Sequence, residues 1–178
     1  MSLEIYFKPI HPIKFSKNSI GSIVDSHINS FPEWQSSDIV FLTINENRGN
    51  STQKKNETDH YSVRTKLYNF KWEGSLTISD LGILDSGSTL KDTYAALKEI
   101  TFEIQKKSKL LVLLGGSQDL TFANYLGYEQ LEQPVNLTCI DHSFDVVVDQ
   151  EQQISDKNYI NHLLLHSPNN LFNFSILG

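Results

Sequence analysis

One cysteine in 178 residues, Cys139, excludes an intramolecular disulfide framework. It lies inside an apolar run, where a small buried side chain explains it better than a nucleophile does. Positive charge is also short. Fifteen Lys and Arg residues stand against 21 Asp and Glu residues, for a formal net charge of −6. That balance argues against nucleic acid or an anionic membrane as the main partner, because either needs clustered cations. The one basic run, Lys106-Lys107-Ser108-Lys109, falls at the end of a predicted helix and complements its dipole. No stretch approaches the roughly 18 apolar residues of a membrane span. The opening Met1-Ser2-Leu3-Glu4 has neither the basic region nor the apolar core of a signal peptide. A cytoplasmic protein is the expectation.

The composition is sufficient for a core: 39% of residues are hydrophobic and 20% are charged. The length fits one domain. Residues 1–37 read as irregular, broken by Pro9, Pro12 and Pro32. A short amphipathic helix is expected around Ile20, Ile23, Val24 and Ile28. Asp38 to Ile44 is a buried-strand pattern. Residues 45–59 are polar and rich in Asn, which predicts a solvated loop. Tyr61 to Phe70 predicts a helix with Val63, Leu67 and Tyr68 inward, and Leu76 to Leu84 a second strand. Thr89-Leu90-Lys91-Asp92 has capping-box spacing. The helix it opens carries a stripe of Leu90, Tyr94, Leu97, Thr101 and Ile104. Leu110 to Leu114 lacks alternation, as in a strand covered on both faces. Gly115-Gly116 breaks it, and Asp119 is placed to cap a helix reaching about Leu131. Val135 to Ile140 predicts a strand, Asn158 to His166 a helix and Leu171 to Leu177 a last strand. This alternation predicts an α/β fold of three layers around a parallel sheet. A last strand that runs into Gly178 predicts a truncated domain.

In such sheets ligands bind beyond the carboxyl ends of the strands. Two notable segments sit there: Leu114-Gly115-Gly116-Ser117-Gln118-Asp119 and Cys139-Ile140-Asp141-His142-Ser143-Phe144-Asp145. Asp141, Ser143 and Asp145 are spaced two apart, which puts their side chains on one face and His142 on the other. Two converging carboxylates need a cation or hydrogen-bond donors to offset their repulsion. Oxygen ligands favour Mg2+ or Mn2+, and added imidazoles extend the choice to Zn2+ or Fe. The alternative is that the two Asp residues cap a helix or accept loop N–H groups. Gly115-Gly116 could cradle a phosphate, but it lacks GxGxxG and the Walker lysine, so a tight turn explains it. Neighbours on one strand cannot form a hydrolase triad, and Gly116-Ser117-Gln118-Asp119 lacks the second glycine of a nucleophile elbow. His162 and His166, four apart on a predicted helix, could share a metal, though a surface or packed pair is the simpler account.

The two strand-end motifs, in this order and spacing, resemble those of the arginase family (ureohydrolases), which includes arginase, agmatinase and formimidoylglutamase. The resemblance spans about residues 36–178 and is closest to divergent formimidoylglutamase-like members. It takes in the Asp38 to Ile44 strand, Arg64, Asp80-Leu81-Gly82, Gln118-Asp119-Leu120-Thr121 and Asn124-Tyr125. Residues 1–35 are left as an N-terminal extension, and residues 36–178 match the N-terminal part of the family's domain. The resemblance implies a Mn2+-dependent hydrolase of C–N bonds in linear amidines, with guanidino or formimino substrates, and a homo-oligomer. Family members bind two Mn2+ ions that share a hydroxide. It also implies Asp141 and Asp145 as metal ligands, with Gln118 beside them as a weaker one. Gln118 stands where the first motif has its ligand histidine, and Ser143 where the second has one. That departure opens a second reading, a non-catalytic binding or scaffold protein on the same fold.

Overall fold

The computed structural model describes residues 2–51, 59–147 and 153–178. Its strands and helices run β1 (Phe7–Lys8), β2 (Val24–Ser26), β3 (Ile39–Asn45), α1 (His60–Tyr68), β4 (Ile78–Asp85) and α2 (Leu90–Gln105). There follow β5 (Leu110–Leu114), α3 (Leu120–Glu129), β6 (Val135–Ile140), α4 (Tyr159–Leu165) and β7 (Leu171–Leu177). From β3 onward the strand–helix alternation is the expected one. The parallel strands, however, fall in two sheets, and the chain divides into two compact units.

The first unit holds Met1–Glu46, Asn56–Ser86 and Ile104–Gly116. Its sheet has the order β1-β4-β3-β5, with β2 also on β4. β3 pairs in parallel with β4 and β5, and β1 pairs antiparallel with β4. The helix expected around Ile20 to Ile28 does not form. A 3-10 turn, Ile20–Ser22, is followed by β2, whose backbone is recruited into the β4 ladder. Gly21 lowers the local helix preference, and tertiary pairing decides the outcome. β5 is also less covered than expected. Leu110 is 60% exposed and the other four residues are half-buried, because β5 is the outer strand of this sheet.

The centre of this unit is an ion pair. α1 turns Arg64 inward, not Val63, which is exposed. Arg64 is 1% exposed and lies against Asp80 of β4, itself 0% exposed. The guanidinium donates through Nε to Asp80 Oδ2 at 2.7 Å and through Nη2 to Oδ1 at 3.0 Å. Its remaining donors reach Thr43 Oγ1 at 2.9 Å and the Gly82 carbonyl at 2.7 Å. The Phe41 ring lies 5.5 Å from its carbon centre. Asp80 also accepts from the Tyr68 hydroxyl and the Gly82 N–H, both at 2.8 Å. Tyr68 in turn meets Ser26 Oγ of β2 at 2.8 Å. Burial first, then the Asp80 charge, holds the Tyr68 phenol far above its ordinary range. One network thus ties β2, β3, β4 and α1.

Asp80-Leu81-Gly82 is a bulge in β4. Phe41 pairs with Asp80 and Thr43 with Ile83, so Leu81 and Gly82 together oppose Leu42. Gly82 has φ of +99°, and a Cβ there would sit 2.2 Å from the Lys8 carbonyl oxygen. Only glycine fits both conditions.

The second unit holds Asn47–Lys55, Gly87–Glu103 and Ser117–Gly178. β6 and β7 pair in parallel. Phe122 and Tyr125 of α3 pack with Tyr159, Ile160 and Leu163 of α4, and Leu137, Phe174 and Ile176 of the strands join them. On the other face, Ile140 and Leu177 are exposed. The capping box forms as expected: Thr89 N–H donates to Asp92 at 2.7 Å and Asp92 N–H to Thr89 Oγ1 at 3.2 Å. Leu97, Ile100, Thr101 and Ile104 are fully buried along the α2 stripe. The loop after β3 is less solvated than expected over its described part. Glu46 is 1% exposed, Arg48 donates to the Gly87 and Ser88 carbonyls, and Ser51 N–H donates to Asp156 at 2.9 Å. Residues 52–58 of that loop lie outside the described residues. Among the described residues no helix is long and apolar enough to cross a membrane.

Removing one partner of a buried ion pair strands the other charge, which typically costs about 3–5 kcal/mol. Arg64→Met should therefore lower the unfolding free energy by about that amount in a urea titration. Arg64→Lys should recover only part of it, because an ammonium cannot bridge both Asp80 oxygens and the Gly82 carbonyl together.

Candidate functional site

The C-terminal ends of β5 and β6 carry the two segments singled out in the sequence. After β5, Gly115 and Gly116 both have φ of +79°, the tight-turn geometry that the glycine pair predicts. The site itself is built within the second unit, from the turn before α3 and the segment after β6.

The strand ends at Ile140, yet the alternation persists beyond it. Asp141 is partly buried, Ser143 is half-buried and Asp145 is 4% exposed, while His142 and Phe144 face solvent. Asp141 stays tied to the sheet, because its N–H donates to the Leu177 carbonyl at 2.9 Å. The inward phase expected for Asp141, Ser143 and Asp145 is therefore present without an extended strand.

Hydrogen bonds join these side chains. Gln118 Nε2 donates a short bond to Asp141 Oδ2. The Ser143 N–H donates to Asp141 Oδ1 at 3.3 Å, and the Ser143 hydroxyl donates to Asp145 Oδ1 at 3.1 Å. Ser143 thus links the two carboxylates. The Gln118 bond first, and the Ser143 and His142 N–H groups after it, hold the Asp141 carboxyl below its usual range. His142 is out of the network's interior, with its side chain 96% exposed, although its Nδ1 lies 3.0 Å from Asp141 Oδ1.

Two residues that the sequence did not single out complete the surroundings. Tyr159, 1% exposed at the start of α4, places its hydroxyl 3.5 Å from Cys139 Sγ. Burial, then Cys139, then the Asp145 and Asp141 charges hold its phenol far above the ordinary range. Tyr94 of α2 donates a short hydrogen bond to Asp119, which is fully buried. That bond corrects the expected role of Asp119: it occupies the cap position of α3, but its side chain makes no capping bond. The helical stripe placed Tyr94 inward, but no local sequence signal names the partner of either tyrosine, which lies at least 20 positions away.

His162 and His166 do not form a site. Burial holds the His162 imidazole below its ordinary range, beside the Phe122 ring at 6.1 Å. His166 Nε2 lies 2.9 Å from Glu129 Oε2 and edge-on to Phe122 and Tyr125. Among the described residues no group of three or more His, Cys, Asp and Glu side chains is arranged to hold a metal ion.

Neither a protein-family model nor a curated protein sequence matches the chain. Solved structures do. The chain is similar to an arginase superfamily protein from Trypanosoma cruzi, with a TM-score of 0.72 and 17% identity over 90% of this chain and 57% of that one. It is similar to Trypanosoma cruzi formiminoglutamase with Mn2+, with a TM-score of 0.70 and 16% identity over 84% of this chain and 53% of that one. Formimidoylglutamase from Bacillus subtilis gives 0.68 and 10% identity, over 82% and 48%. The fold is therefore of the arginase type, and the chain spans about half the length of these structures.

A carboxyl whose value is lowered in the folded state adds stability above its ordinary value near 4, and that stability is lost as pH falls through the folded value. Gln118→Leu removes the leading donor to Asp141. Carboxyl-carbon NMR should then show Asp141 titrating higher, back toward an ordinary aspartate. An unchanged titration would mean that the Gln118 contact is not what holds it down.

Proposed function

We propose that this chain is a divergent, formimidoylglutamase-like member of the arginase superfamily. Its strand-end carboxylates serve a binding or scaffold role without two-metal hydrolysis. One observation carries the reading. Gln118 and Ser143, which by resemblance stand at the positions of ligand histidines, both donate hydrogen bonds to the retained carboxylates. The repulsion between Asp141 and Asp145 is offset by neutral donors, which is one of the two ways such a pair is stabilised.

Mn2+, the ion named with the Trypanosoma cruzi neighbour, does not fit this donor set as a pair of ions. Two carboxylates, one amide and one hydroxyl offer no imidazole, and the amide turns its N–H toward Asp141. A dinuclear Mn2+ centre needs more charged or imidazole ligands than these residues supply.

A second reading is a metal-dependent hydrolase of C–N bonds in linear amidines, guanidino or formimino. The retained Asp141 and Asp145 favour it, as does the Mn2+ of that neighbour. Under either reading a small amidine is the ligand class to try first, and the single cysteine supports a cytoplasmic setting.

Metal analysis of protein purified without chelator separates the two. The expected result is no stoichiometric metal and no thermal shift with millimolar Mn2+. A panel of guanidino and formimino substrates should release no urea, ammonia or formamide. Stoichiometric Mn2+, with product release that Asp141→Asn abolishes, would establish the hydrolase instead.

A further inference from the structure

α1 begins at His60, and this histidine has an environment that the strand-end site does not explain. Both of its ring nitrogens are shut off from solvent and have no hydrogen-bond partner among the described residues. Beside it is a cavity of about 40 Å3, lined also by Ile10, His11, Ile13, Tyr61, Arg64 and Ile83. The space exceeds the roughly 10–15 Å3 that one water needs, but its lining surface is apolar and offers the ring no hydrogen-bond partner.

A neutral imidazole tolerates these surroundings at the cost of unmet hydrogen bonds. An imidazolium does not, because no described residue gives its ring nitrogens the hydrogen bonds that water would. Arg64, one helical turn on, lines the same cavity, but its guanidinium is already committed to Asp80. A proton on His60 therefore adds a second cation beside a pair that is already balanced. The opposing charges are weaker. Asp59 is occupied as the cap of α1, accepting from Ser62 N–H at 2.9 Å, and Asp85 pairs with Lys8. His11 and Tyr61 also border the cavity, and both are exposed to solvent.

We propose that His60 is a pH-sensitive latch on the first turn of α1. The turn is closed over the cavity while the ring is neutral, and it opens when the ring takes a proton. Burial, followed by the Arg64 charge, holds the imidazole below its ordinary value, with Asp85 and Asp59 opposing. The sign follows from linkage. The unfolded chain binds the proton near pH 6.5 and the closed turn does not, so the turn's stability is complete above that pH and declines as pH falls below it. Arg64 and Asp80 sit deeper and stay bonded to each other, so the opening is local to the turn. The inference is independent of the reading of the strand-end site.

The test is amide hydrogen exchange on the intact chain at pH 7.5 and pH 5.5, corrected for the intrinsic pH dependence. Protection in the first turn of α1 should fall by about tenfold at the lower pH, which lies one pH unit below the ordinary imidazole value. His60→Leu should show the same protection at both values. Constant protection in the native protein, or an equal loss in the Leu variant, would overturn the proposal. Should the Leu variant not fold, ring-proton NMR of the native chain decides. A His60 midpoint below the ordinary imidazole value near 6.5 supports the latch, and a midpoint at that value removes it.

Discussion

The first unit depends on one constraint: a guanidinium and a carboxylate held together where water does not reach. Arg64 and Asp80 are both essentially inaccessible, and each has its remaining hydrogen-bonding capacity met by Thr43, Gly82 or Tyr68. A buried ion pair is not a source of stability by default, because desolvating two charges can cost more than their attraction returns. Its value here lies in what it forbids. α1 cannot rotate about its axis, and β4 cannot slide along β3, without leaving a charge unmatched. The placement of the helix over its sheet follows from that rule, and so does the position of His60 one turn earlier on the same face.

The second unit is organised differently. It is held by an apolar cluster between α3, α4 and the inner faces of β6 and β7, with polar contacts at the strand end and between α3 and the turn before β7. Asp141 and Asp145 are each satisfied by donors from within two residues or from the turn before α3. The site is thus self-contained. Its charges meet amide and hydroxyl groups of this chain. The path of the backbone remains of the arginase type.

The long elements were legible because their patterns are repetitive. The α2 stripe, the uniform apolar run of β5 and the capping box at Thr89 each state their structure over several residues. The strand-end phase was legible for the same reason: alternation carried Asp141, Ser143 and Asp145 inward even where the strand itself stopped. Arg64 was not placed in the interior, because a charged residue goes inside only with a partner, and its partner lies 16 positions later. β2 escaped notice because three residues of strand carry no readable period, and β4 supplied the reason for them to extend. The hydrogen-bonding roles of Tyr159 and Tyr94 were missed on the same ground, although the α2 stripe had turned Tyr94 inward. Their roles are defined by contacts across the fold, and nothing in their own neighbourhood announces them.

The bulge in β4 bears on how this chain is to be aligned with others. With two residues opposite Leu42, β4 carries one residue more than a regular ladder, and every side chain after Asp80 is offset by one relative to a strand without the extra residue. At identities of 10–17% a gap is easily misplaced. Here its location is physical. Gly82 has a backbone that side-chain-bearing residues avoid and touches the Lys8 carbonyl, so an insertion or deletion belongs at Leu81-Gly82. Registering distant sequences on that glycine, and on the aspartate two residues before it, preserves the facing of both halves of the strand.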